Sequence, residues 1–320
     1  MIIFLYFYIF LFSIILFNII INVSRYIENE NVDKPKWDAL VSSSDHSLIF
    51  NNYDYLNAFC VWDALVLEDY AGAIPLPRME KTGYLKLYQP PFIQKGNWIG
   101  TALTPELIAQ IWNIIKSKFA HVHFNSNIIF GNISSPRINL IQPISTLDKN
   151  QKKYSKSLRK NIIKVTSLNL ITDQSQVKIT AELYKNAYGD LNRQLNNEAY
   201  ASLILLVNKK PEMFLNCIVL NHDKTVAALL FAKYNNRLHY ILGAPNEQGR
   251  KLNALSFGIN HVISMHQNQN YILDFEGSMI PSVKDYYKSF GSFDEPFYET
   301  NWCTPWLKLL LKTYKRLKRS

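Results

Sequence analysis

Two stretches of this chain follow one plan, and that repetition limits the possible folds more than any other feature of the sequence. Residues 62–77 (WDALVLEDYAGAIPLP) and 213–244 (MFLNCIVLNHDKTVAALLFAKYNNRLHYILGA) both set an apolar strand, a polar turn and a strand of small and aliphatic residues in series. Strand-like runs bounded by Asp, Asn and Gly read as antiparallel hairpins, with turns expected at 69–72, 80–83, 222–224 and 235–236. A helix and a further strand follow each stretch. Residues 107–120 carry Leu107, Ile111, Ile114 and Phe119 at helical spacing behind Thr104-Pro105-Glu106, and Pro suits a first helical turn. In the second half a basic helix is expected from about Ser155, helices over 176–188 and 197–209, then, after the hairpins, a helix over 251–266 and a strand over 271–275. Residues 34–60 read as two short helices, with Asp33 or the Ser42–Asp45 cluster as caps. The fold class is therefore α/β, with two lobes at 25–145 and 146–300, each a mixed twisted sheet flanked by helices.

At 320 residues with 48% hydrophobic side chains, 18 Phe, 19 Tyr and 6 Trp, the chain has material for two packed domains and is not a disordered sequence. Cys60, Cys217 and Cys303 are widely separated and read as reduced core residues, which excludes a Cys-x-x-Cys metal or redox site. His121 and His123 share a strand face but no third ligand is placed by spacing, so no metal is expected. There is no G-x-S-x-G, G-x-x-x-x-G-K-[ST] or G-x-G-x-x-G pattern, so hydrolase, kinase and dinucleotide chemistries lose their usual signatures.

The formal charge of +10 is concentrated in two places: residues 149–164 hold seven basic residues and no acid, and residues 304–320 hold six and no acid. Localised basicity points to anionic partners: a small anionic substrate, a tRNA, or lipid headgroups. In 304–320, Leu307, Leu310, Leu311 and Tyr314 recur at helical spacing beside Lys308, Lys312 and Lys315, as in an amphipathic helix lying on an anionic membrane; the alternative is a stripe docked on the second lobe. Residues 1–23 carry no charge and are long enough to span a bilayer, without the basic start and small-residue exit of a secretory signal. Read as an anchor flanked by Arg25, they leave a cytoplasmic body held at the inner face of the membrane; a mis-assigned start is the other reading.

Three segments resemble a known family. LDFEGSMIPSVKDYYKSFGS (273–292) resembles the closing motif of FemX-like peptidyltransferases in the GNAT acyltransferase superfamily: a strand ending in an acidic residue and Gly, then a helix with an aromatic-Lys pair and Phe-Gly. YSKSLRKNIIKV (154–165) is similar to the basic helix that opens that family's second lobe, and YQPPFIQ (88–94) to its first-lobe strand and turn. The likeness spans about residues 25–297 and leaves out both termini. It implies tandem GNAT-like lobes with the site in the cleft between them, and transfer of an aminoacyl or acyl group to an amine. It also implies that Tyr287, through its peptide N–H, and Lys288, through its ammonium, stabilise the oxyanion. A fixed cation or N–H aimed at that oxygen contributes about 3–4 kcal/mol in a dry cleft.

Beside the resemblance, Asp274 and Glu276, two apart on one strand, share a face and suit handling of the nucleophile's proton. Arg159, Lys160 and Lys164 suit a phosphate clamp, the alternative being a solvated charged face, and the resemblance implies that Asn253, Tyr88 and Gln89 line the cleft. The loop 243–255 (GAPNEQGRKLNAL) lacks the glycine pattern through which GNAT acetyltransferases cradle a coenzyme A pyrophosphate. No cofactor is therefore required, and the acyl donor is left between aminoacyl-tRNA and acyl-CoA. The competing functions are an ordinary acyl-CoA-dependent N-acetyltransferase and a non-catalytic, membrane-associated binding module.

Overall fold

The computed structural model describes residues 24–163, 167–191, 195–277 and 279–317, with the backbone alone for 314–317. One mixed sheet of thirteen strands runs through it. The first half supplies β1 (Arg25–Ile27), β2 (Val61–Val66), β3 (Gly72–Lys81), β4 (Tyr84–Leu87), the short β5 (Ile99–Gly100), β6 (His121–Ser126) and β7 (Ser134–Pro143). The second half supplies β8 (Leu168–Thr172), β9 (Phe214–Asn221), β10 (Lys224–Tyr234), β11 (Arg237–Pro245), β12 (Ile272–Asp274) and β13 (Phe293–Cys303).

The strand order, β1-β2-β3-β4-β6-β13-β7-β12-β11-β10-β9-β8, reads alike from both ends. Each half runs inward as an antiparallel meander and makes one parallel pairing, β4 with β6 and β11 with β12. Each then sends its last strand across the midline: β13 lies beside β6, and β7 beside β12. The two exchanged strands pair antiparallel at the centre. The tandem lobes expected from the repeated hairpins are thus joined in one hydrogen-bonded sheet, each completed by a strand of the other.

Residue chemistry explains the elements. His222 and Asp223, then Asn235 and Asn236, all adopt positive φ, as paired central residues of tight hairpin turns require. Helix α1 (Lys34–Ser43) is capped by Asp33 and α2 (Tyr53–Phe59) by Asn52. Helix α3 (Pro105–Lys118) starts on the Thr104 cap and buries Leu107, Ile111 and Ile115 on the first-lobe strands, beside Leu65, Leu76 and Phe124. The basic segment forms two helices, α4 (Leu147–Lys153) and α5 (Lys156–Ile163), and α6 (Val177–Tyr188) and α7 (Asn197–Lys209) follow.

The helix expected over 251–266 is divided. Asn253 takes a left-handed conformation (φ 54°) between α8 (Glu247–Lys251) and α9 (Ala254–Met265), a conformation a short amide tolerates and a continuous helix does not. Helix α9 buries Ile259, Val262 and Ile263 against Leu229, Leu238 and Leu273, mirroring α3 in the other lobe. Between the lobes, Trp37, Phe50, Tyr55 and Trp62 pack with Val177, Leu203, Phe214 and Leu230. At about 1.5–3 kcal/mol per large buried side chain, this shared core holds the halves together. Helices α10 (Pro281–Lys288) and α11 (Pro305–Leu317) close the chain. Of the cysteines, Cys217 is fully buried while Cys60 and Cys303 are half-buried, and all three are free. Among the described residues no helix is long and apolar enough to cross a membrane. Residues 1–23 lie outside the described residues.

Candidate functional site

Four adjacent strands, β13, β7, β12 and β11, carry a polar ladder through the apolar interior. Arg237 and His239, two apart on β11, project to one face, and His239 stands opposite Asp274 on β12. Asn139 on β7 stands opposite Glu295 on β13. Arg237 donates from Nε to Asp274 Oδ2 at 2.7 Å, and from Nη1 and Nη2 to Glu295 at 3.1 and 2.6 Å. Asn139 Nδ2 donates to Asp274 at 2.9 Å and Glu295 at 3.0 Å, and the buried Lys95 ammonium lies 3.1 Å from Glu295. His239 Nδ1 shares a 2.6 Å hydrogen bond with Glu276 Oε1.

Two cations and two carboxylates balance here, and their electrostatics follow. Burial acts to raise the carboxyl pKa values, but Arg237, His239 and Lys95 outweigh it at Asp274, which is held below the carboxylate range. At Glu295 burial is likewise outweighed by Lys95 and Arg237, down to about 2. Glu276 is the unmatched carboxyl: burial first and the Asp274 charge second push its pKa well up. Burial lowers His239 to about 3, and among the described residues its Nε2 has no hydrogen-bond partner to stabilise an imidazolium. Ligand atoms of His239, Asp274 and Glu276 lie within 4.8 Å of one another. That spacing could hold a metal ion, but a divalent cation would have to enter beside Arg237 and Lys95, whose charges already match those of Asp274 and Glu295 and oppose it.

The sequence pattern placed Asp274 and Glu276 on one strand face; in the structure the strand ends at Asp274. Glu276 and Gly277 both take positive φ, 59° and 64°. The left-handed turn swings Glu276 over His239 and costs of order 1–3 kcal/mol for a non-glycine residue. It is held from both lobes: Glu276 N donates to Asp274 Oδ1 at 2.9 Å, and Gln94 Nε2 from the first lobe donates to the Glu276 carbonyl. At Gly277 a Cβ would lie 2.5 Å from the Ile138 carbonyl oxygen, so the turn needs glycine there.

Glu276 forms part of the wall of an inter-lobe cavity of about 360 Å³, together with Gln89, Gln94, Asn125, Tyr240, Phe275 and Tyr287. The cavity shares Gln89, Pro91 and Asn125 with a larger one of about 690 Å³ that reaches Lys86, Tyr88, His123, Glu198 and Glu299. The segment 88–94 is pinned between them: Asn125 N donates to Gln89 Oε1 at 3.0 Å, and Asn125 Nδ2 to the Gln94 carbonyl at 2.9 Å.

The structure therefore brings together Glu276, Tyr287, Gln89 and, through the larger cavity, Tyr88, with Asp274 behind them, fully buried. One expected role changes and other expected residues fall elsewhere. Tyr287 is the seventh residue of α10, so its peptide N–H is committed to the carbonyl four residues back and is not open to an oxyanion. Its side chain faces the site instead: the ring stacks on Phe275 at 4.7 Å, and burial raises the phenol pKa, keeping an O–H donor. The Lys288 ammonium sits 3.1 Å from Asp294 Oδ1, half-exposed, and lines neither cavity. Lys288→Ala is expected to change stability by less than about 1 kcal/mol and transfer by less than threefold; a tenfold loss of rate at native stability would restore the ammonium to the oxyanion.

Arg159, half-buried, and Lys160, exposed, ride on α5, and Asn253 accepts a 3.5 Å hydrogen bond from Asn161. None of these three lines the two cavities. Lys164 lies outside the described residues. Sequence reasoning missed Arg237, His239, Glu295, Lys95, Asn139 and Gln94. The available signal was Arg237-x-His239, two polar residues alternating on a strand otherwise fit for burial; Lys95, Asn139 and Glu295 join only through the strand exchange.

No family model matches the sequence, and no curated protein matches it. Solved structures do match the fold. A crystal structure of FemX superposes with a TM-score of 0.61 at 10% identity, covering 86% of this chain and 96% of that one. A conserved protein of unknown function from Bacteroides thetaiotaomicron gives 0.57 at 11% identity over 88% and 100% of the two chains. L-PGS from Bacillus licheniformis gives 0.51 at 9% over 89% and 96%. The chain shares the fold of FemX, as its closing motif led one to expect.

Proposed function

We propose that this protein is an acyltransferase that moves an aminoacyl or acyl group from an ester or thioester onto an amine in the inter-lobe cleft. The observation that carries the reading is Glu276: a carboxyl of raised pKa, held in a left-handed turn by both lobes, in the wall of the cavity where the family resemblance puts the reaction. As a carboxylate it is a stronger base than a solvated Glu, which suits taking a proton from the attacking ammonium. The amine nitrogen bonds to the carbonyl carbon and the bond from that carbon to the carrier oxygen or sulfur breaks. Glu276, sharing its proton with His239, takes one proton as the ammonium becomes the attacking amine and returns it to the leaving oxygen or sulfur; the second proton that the nitrogen sheds as the amide forms passes to solvent. The Tyr287 phenol donates to the oxygen that becomes negative. Asp274, fixed by Arg237 and Asn139, positions the Glu276 peptide.

An aminoacyl-tRNA donor fits the surface better than acetyl-CoA. Lys149, Lys152, Lys153, Lys156 and Lys160 are all exposed on α4 and α5, with Asp148 offsetting only Lys152, at 2.7 Å. At the start of α8, by contrast, Asn246 caps its own helix and Glu247 puts a negative charge in the first turn, where a pyrophosphate would need positive potential. The expected result is retention of bulk tRNA in filter binding that falls steeply between low and moderate salt, as counterion release requires, with no calorimetric heat from acetyl-CoA. Acetyl-CoA binding without tRNA retention would return the protein to the ordinary acetyltransferases.

A further inference from the structure

The C-terminal helix α11 presents an apolar face that no other described residue covers. Its first turn is tied to the first lobe: Thr304 N donates to the Ala120 carbonyl at 2.9 Å, and the Trp306 ring meets Tyr84 edge-on at 6.3 Å. Leu307, only 3% exposed, is the residue pressed into the body, with Leu311 half-buried one turn on. Of the stripe singled out in the sequence, Leu307, Leu310, Leu311 and Tyr314, the three leucines are thus split by the fold and the lobe they meet is the first; the Tyr314 side chain lies outside the described residues. What remains outward is Trp306 at 50% exposure, Leu309 at 67% and Leu310 at 57%, neighbours at helical i, i+3 and i+4 spacing. Lys308 and Lys312, both exposed, form the adjoining stripe one turn apart, and the sequence continues with Lys315, Arg316, Lys318 and Arg319.

We propose that α11 is an interfacial helix that lies flat on an anionic lipid surface, with Trp306, Leu309 and Leu310 entering the acyl boundary and the lysine stripe meeting the headgroups. Three observations select this occupant. The helix has thirteen residues, about 20 Å of length, too short to span a hydrocarbon core of about 30 Å. Its charge is of one sign, six basic residues and no acid over 304–320, complementary to anionic lipid and repulsive toward a second copy of itself. An exposed Trp flanked by leucines and lysines is the composition that partitions to a membrane interface.

The test uses the full chain with vesicles of phosphatidylcholine alone or mixed with phosphatidylglycerol, carrying bromine-substituted acyl chains that quench tryptophan on contact. Residues 1–23 contain no Trp, so quenching reads the body whatever that segment does. The expected result is quenching on the phosphatidylglycerol vesicles that is lost in Trp306→Phe, reduced several-fold in Leu309→Ser/Leu310→Ser, and weakened at least tenfold in Lys308→Glu/Lys312→Glu. These side chains are exposed, so circular dichroism of each variant should match the native chain. Quenching that persists in Trp306→Phe, or is equal on neutral vesicles, overturns the proposal; so does a dimer in light scattering that Leu309→Ser/Leu310→Ser dissociates.

Discussion

Replacing Arg237 with methionine is expected to lower the unfolding free energy by about 3–5 kcal/mol, because it leaves the fully buried Asp274 carboxylate without its cation. Glu295 keeps Lys95 and suffers less. Chemical denaturation measures the loss, and a second variant separates its causes. Adding Asp274→Asn to Arg237→Met removes the stranded charge and should recover a large part of the stability; a double variant as unstable as the single one would assign the loss to packing and not to charge. The same network makes the native fold acid-sensitive. Asp274, Glu295 and His239 all have folded pKa values below their unfolded ones, Glu295 at about 2 and His239 at about 3. The unfolded chain takes up protons first, so stability present at neutral pH declines as pH falls through about 6.5, the unfolded histidine value, toward that range. Glu276 acts in the opposite sense: its folded pKa is raised, so its contribution is present in acid and is lost as pH rises. A melting temperature that is flat from pH 7 to pH 3 would contradict this assignment.

Glu276→Gln is expected to cut acyl transfer by roughly 10²-fold or more, the usual weight of a positioned general base, with the fold retained. Gln keeps the side chain's size and a hydrogen-bonding oxygen for His239 Nδ1, and the positive-φ turn is still held by Gln94 and the Asp274 carboxylate. A structural role alone would shift the melting temperature and leave the pH–rate profile unchanged. A catalytic role removes from kcat/KM the rising limb set by the raised carboxyl. Tyr287→Phe should lower kcat with little change in KM, since its O–H is needed only as the carbonyl oxygen becomes negative.

Local chemistry carried most of the fold into the sequence. The hairpin turns at 222–223 and 235–236 needed residues that tolerate positive φ, the helix at 105–118 showed both its cap and its apolar stripe, and the helix expected over 197–209 formed at those bounds. What the sequence did not show was the exchange of β7 and β13, because partners in a sheet are set by tertiary pairing and leave no local mark. The site inherits that limit. Tyr88, Gln89, Glu276 and Tyr287 were legible from motif context, yet the groups that tune Glu276 come from β7, β11, β12, β13 and the loop at 94–95, segments far apart in the chain. Asn253 and Lys288 were misplaced for a simpler reason: a helix-breaking conformation and a salt bridge to Asp294 redirect side chains in ways that spacing does not encode.

On the proposed reading, the cleft beside Glu276 joins an acyl group to an amine. The most direct test of that reading is mass spectrometry of reactions containing charged bulk tRNA, or acyl-CoA in a parallel reaction, with a set of amine acceptors, run with the native protein and Glu276→Gln at equal concentration. The account predicts an amide whose mass is the acceptor plus one aminoacyl group, formed from charged tRNA by the native protein and reduced at least roughly 10²-fold in the variant. No amide from either donor, or equal amounts from native and variant, would contradict it.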